Sequence, residues 1–166
     1  MSPRLPRTRV YLPATTADLA TLVDSGSMST GGTGYAVTPA VRAGSPDGDD
    51  DEWEFEAFGD AAAACIALLG PDTSGLRRVV VSVDLDPADV VAADGSAAAA
   101  SVPSAVAVPA AVALRSVAAV HVDDENAAAA LAEVLDGGPA SLLDDMALDW
   151  FDGSEVEALV DQLASS

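Results

Sequence analysis

The sequence contains no lysine: its seven basic residues are all arginine, and they face 27 aspartates and glutamates, for a formal net charge of −20. That imbalance opposes approach to the phosphates of DNA, RNA or anionic lipid, so no nucleic acid is expected as a partner; the acidity reads first as a solvated surface, with a basic protein partner as the alternative. Cysteine is nearly absent too. The lone Cys65 permits no intramolecular disulfide, and its place in the apolar run 61–69 predicts a buried, inert thiol. Aromatic residues make up only 4% of the chain, which predicts a core of alanine with scattered leucine, valine and phenylalanine. Arg4, Arg7 and Arg9 are not followed by the apolar stretch of a secretory signal, and a cytoplasmic location is expected. Ser96 to Leu114 carries no charge over about the length a bilayer needs, but its small residues and Pro103 and Pro109 argue for an Ala-rich loop running into extended chain rather than a membrane helix.

Periodicity supplies the positive content. Residues 9–15 alternate as a short strand ending near Pro13, and Thr15 with Asp18 has the spacing of a capping box ahead of a helix of about ten residues stopped by Gly26. Residues 25–34 are Ser, Thr and Gly, with no regular element expected, and Gly31, Gly32 and Gly34 read as loop flexibility. Residues 34–40 read as a strand closed by Pro39, and 43–52 as a mobile acidic loop. Phe55, Phe58, Ala62, Cys65, Ile66 and Leu69 recur at helical spacing before Gly70 and Pro71, which marks the longest helix. The best strand spans 77–86, and residues 87–104 are expected to be mobile. A further strand covers 117–124, a helix capped by Asp123 or Asp124 runs through Leu135, and Ser154 with Glu157 opens a C-terminal amphipathic helix. The whole is expected to be one α+β domain over 1–166, with a small mixed β-sheet of about four to five short strands flanked by helices.

No sequence motif for a nucleophile, a phosphate loop or a metalloprotease is present, and no metal or cofactor is expected. The acids from Asp47 to Glu52 miss the EF-hand pattern, because its sixth and twelfth positions fall on Glu52 and Phe58. Asp84 and Asp86 share a strand face, as paired carboxylates do. His121 shares one with Asp123, which would raise the histidine's pKa, though without a second histidine or a paired nucleophile it reads first as a partly exposed structural residue. Trp53, Trp150 and Phe151 are read first as core filling, with Trp150 and Phe151 as a partner surface if exposed.

The segments RVYLPAT, GYAVTPA, VVVSVDLD, VAAVHVDDE and LDWFDGSEVEAL together resemble an uncharacterised actinobacterial family known only as a domain of unknown function, over nearly the whole chain. The order of short strand, helix, Tyr-bearing strand, long helix and Val-rich strand is also similar to that of small ADP-ribosyltransferase-like domains. That resemblance implies a nicotinamide-type pocket lined by Thr15 and Tyr35 near Arg9. Leu12 and Pro13 stand where such enzymes commonly carry histidine, and no glutamate is clearly placed to orient a ribose. The function expected is therefore a non-enzymatic interaction or accessory protein, with a degenerate NAD- or nucleotide-binding module as the alternative.

Overall fold

The computed structural model describes residues 6–69, 76–92 and 102–165. Strand β1 (Thr8–Ala14) leads into helix α1 (Thr16–Ser25), where the Thr15 hydroxyl accepts from the Asp18 N–H and the Asp18 carboxylate accepts from the Thr15 N–H. Gly26, at φ 81°, ends the helix in the left-handed conformation that glycine adopts without steric cost. Both ends fall where the sequence puts them.

The next stretch departs from expectation. Residues 25–34 contain strand β2 (Ser27–Ser29) and the start of strand β3 (Thr33–Tyr35), joined through Gly31 and Gly32 at positive φ. Pro39 opens a helix rather than closing a strand: Thr38 caps α2 (Pro39–Gly44), with proline at a position whose missing N–H costs nothing. Asp49 then caps α3 (Asp50–Ala64), so of the segment expected to be a loop over 43–52 the middle, 45–49, is non-helical, while its start belongs to α2 and Asp50, Asp51 and Glu52 are favourably placed in the first turn of α3. A 3-10 turn, Cys65–Leu68, continues α3. Its stop signal at Gly70 and Pro71 lies outside the described residues.

Strand β4 (Val79–Leu85) is buried on both sides except at Asp84. The span expected to be mobile, 87–104, holds a 3-10 turn at Pro87–Asp89 and strand β5 (Val91–Ala92), while its central part, 93–101, lies outside the described residues. Strands β6 (Ala105–Ala107) and β7 (Ala111–Ala113) follow, neither of them legible from an alanine-rich sequence. Strand β8 (Val117–Asp123) precedes helix α4 (Ala128–Leu135), whose entry turn is capped by Asp124. Strand β9 (Leu148–Asp152) precedes helix α5 (Val156–Ala164). The capping box at this last junction is Asp152 with Glu155, not Ser154 with Glu157, because a 3-10 turn intervenes before the helix.

The sheet is larger and more uniform than the expected mixed sheet of four to five strands. Seven strands stand in the order β5-β6-β3-β1-β4-β8-β9, every neighbouring pair antiparallel, and β2 pairs separately with β7. One face carries Val10, Leu12, Val81 and Val120, and packs on Leu19 and Leu22 of α1 and Val156 and Leu159 of α5. On the opposite face, α3 lays Ala57, Ala61 and Ala62 against Tyr11 and Val80. Alanines on the inward arc let the helix backbone approach the sheet closely. Phe55, expected on that arc, is rotated off it and is 76% exposed. Among the described residues, no helix is long and apolar enough to cross a membrane.

Candidate functional site

Period-two alternation sends Arg9 and Tyr11 of β1, Ser82 and Asp84 of β4, His121 of β8 and Trp150 of β9 to the α3 side of the sheet. Helix α3 packs mainly on β1, β3 and β4, and Leu148 of β9 packs against the same cluster. Phe58 sits edge-on to Tyr11 at 5.7 Å between ring centroids and edge-on to His121 at 4.8 Å. Trp150 stands directly across from His121 in the strand register and is 60% exposed. The reading of Trp150 as core filling is thereby corrected: β9 is an end strand of the sheet, and its tryptophan is left mostly exposed. Phe151, on the opposite face of β9, does pack into the core. Trp53 is half-buried beside α2, its Nε1 donating to the Ser45 carbonyl oxygen and its ring 5.5 Å from the Arg42 guanidinium.

The polar groups on this face are mutually engaged. The Arg9 Nε donates to Asp84 at 2.6 Å and its Nη2 to the other carboxylate oxygen at 3.2 Å; this hydrogen-bonded pairing raises the pKa of Arg9. Asp86 caps the following turn instead of pairing with Asp84, so the two carboxylates do not act together. The Tyr11 hydroxyl donates to Glu54 at 2.6 Å; burial, then that bond, pushes its pKa well up. The Ser82 hydroxyl lies 3.1 Å from Nε2 of His121. Ser82 is 1% exposed, which closes it to a substrate.

The charge state of His121 runs opposite to expectation. Its pKa is pushed down to about 4, first by burial and then by the Arg9 charge, so the ring is neutral near pH 7. Asp123 cannot raise it, because that carboxylate is fully committed: Oδ2 accepts from the Arg78 N–H and Nε, and Oδ1 from Nη2, in a buried ion pair. Cys65 is buried as expected, its thiol bonded to the Val79 and Ala61 carbonyl oxygens and its pKa raised by burial.

Of the residues named for a nicotinamide pocket, Arg9 lies near the start of β1, paired to Asp84. Tyr35 lies across from Tyr11, half-buried, its pKa raised by burial and then by Asp60. Thr15 caps α1 six strand residues beyond Arg9, about 20 Å at the usual strand rise. The structure therefore brings Arg9 to Asp84, near enough to His121 for its charge to be felt there, and separates it from Thr15. Sequence reasoning missed Tyr11, Glu54 and Phe58 as one cluster; alternation in 9–15 places Tyr11 opposite the core face, but only the seating of α3 brings Glu54 to it.

Trp150 is exposed on β9, with whose outer backbone no described strand pairs; Phe55 on α3 and Val91 on β5, the strand at the other end of the sheet, are exposed as well. Exposed Asp149 and Asp152 flank Trp150 on β9. A family model described as a family of unknown function (DUF6912) matches residues 8–160. Neither a curated protein nor a solved structure matches the chain. The chain belongs to that family of unknown function.

Proposed function

We propose that this member of the family is a protein–protein interaction module that takes a basic, extended segment of its partner as an added strand along β9, with Trp150 as the apolar anchor. The observation that carries the reading is a tryptophan 60% exposed on the end strand of an antiparallel sheet in a chain of net charge −20. An end strand presents unpaired N–H and C=O groups, and adding a strand satisfies them while side-chain contacts give selectivity. Asp149 then acts in two ways. It opposes pairing of two copies edge to edge, where like charges would meet, and it favours a segment carrying arginine or lysine. The nucleotide-binding alternative gains nothing from Arg9 and Thr15, whose side chains are already engaged; adding NAD to the same binding experiments tests it.

The test is titration with arginine-rich extended peptides, followed by tryptophan fluorescence and amide hydrogen exchange. Binding should protect those β9 amides that point away from β8 and have no partner already, and should weaken as salt rises. Trp150→Ala should lower affinity about tenfold or more, as loss of an aromatic anchor does. Unchanged affinity in that variant together with unprotected β9 amides would remove the reading.

A further inference from the structure

We infer that the cleft between the β8–β9 end of the sheet and α5 is a side-chain pocket that receives one arginine or lysine from the added strand, an assignment that rests on the edge-docking reading above. The cleft lies on the face of β9 opposite Trp150. It has a volume of about 290 Å³, at the small end of ligand pockets, which suits one long side chain rather than a nucleotide. Its lining is divided. Val122 and Leu159 are buried and Phe151 half-buried, which gives an apolar floor, while Asp124, Glu125 and Asp149 are exposed around it.

The charge balance of this cleft favours a cation. Arg77 is the basic residue in the lining, and its Nη1 is held by the Asp123 carbonyl oxygen at 2.7 Å. Asp124 uses one carboxylate oxygen to cap the next turn, accepting from the Asn126 N–H. Glu125 and Asp149 remain for a ligand. An apolar stem lying on Phe151 and Leu159, with a cationic head at Asp149 and Glu125, matches how arginine and lysine bury their methylenes and keep their charge in a polar rim.

Strand geometry links this cleft to Trp150. Leu148, Trp150 and Asp152 point to one face of β9, Asp149 and Phe151 to the other. Successive side chains of a strand added at this edge must alternate in the same way. One faces Trp150, and the next lies beside Asp149 over the cleft. The partner segment is therefore read as alternating apolar and basic residues, not as a bulk positive charge.

Two peptides of identical composition separate these possibilities: one alternating arginine and valine, the other with all arginines in one block. The alternating peptide should bind about tenfold more tightly or better. The double variant Glu125→Gln, Asp149→Asn should abolish that preference while leaving residual binding at the Trp150 edge. Both changed residues are exposed, and a thermal melt matching the parent's checks that the fold persists. The charge-reversed variant Asp149→Lys should favour an alternating glutamate–valine peptide instead. Equal binding of the two arginine peptides, or a preference that survives the double variant, overturns the pocket and leaves the edge reading standing. Failure of both peptides to bind overturns both. Agmatine, a free guanidinium amine, should bind far more weakly than the alternating peptide; equal binding would make the cleft a small-amine site and overturn the assignment to a partner side chain.

Discussion

His121 is neutral because its ring is largely buried, edge-on to Phe58, and feels the Arg9 charge. Since folding lowers its pKa from 6.5 to about 4, the unfolded chain takes up that proton first as pH falls. The histidine's share of stability is complete above about pH 6.5 and is lost progressively down to about pH 4. The ring resonances of the folded protein should titrate near pH 4, and His121→Gln should show a smaller loss of stability than the parent between pH 7 and 4.5. Titration near 6.5 would contradict the buried placement. At Asp123, replacement by Ala strands the buried Arg78 guanidinium and should cost about 3–5 kcal/mol in denaturant unfolding, whereas replacing both partners by apolar residues should cost markedly less. The sequence places His121 and Asp123 on one strand face; it could not reveal that Arg78, distant in sequence, takes the carboxylate away from the histidine.

Among the elements, those governed by local rules were legible. The Thr15 and Asp18 box, the Gly26 stop and the alternation of β4 depend on neighbouring residues, and each stands where expected. Strands β2, β6 and β7 were not legible, because Ser-Met-Ser and Ala-Val-Ala become strands only through their partners: β2 and β7 pair with each other, and β6 fits between β3 and β5. Gly34 marks the same limit. It falls both at the end of a segment read as loop and at the start of one read as strand; it sits within β3, where an added Cβ would lie 2.5 Å from Val10 Cγ1 and 2.9 Å from Leu12 Cδ2. Gly34→Ala should therefore destabilise by about 1–3 kcal/mol, as overpacking of a core does, measured by denaturant midpoint at constant slope. Near-parental stability would mean that β1 can shift to accommodate the methyl group.

Across the whole molecule, 27 acids and two ion pairs among the described residues leave most of the negative charge uncompensated. Salt screens that self-repulsion, so the melting temperature should rise between low and physiological ionic strength. Binding of a basic segment at β9 should weaken over the same range. A flat melting temperature would mean that the acids are spread too far apart to repel effectively. The opposite signs of the two effects would separate a stability response from a recognition response in one salt series.

The sequence by itself determined the charge, the lone buried thiol, the helix caps and the alternating strands, since each follows from composition or from residues within a turn or two of one another. It also carried the resemblance to a family of unknown function over most of the chain. Tertiary structure alone decided that β9 ends the sheet with Trp150 exposed, that α3 turns Phe55 outward while seating Phe58 on His121, and that Asp149 and Glu125 meet over one cleft. The physical reason is the same in each case. Whether a side chain is covered, paired or left open depends on which element packs beside it, and those neighbours are brought together only by burying the two faces of the sheet.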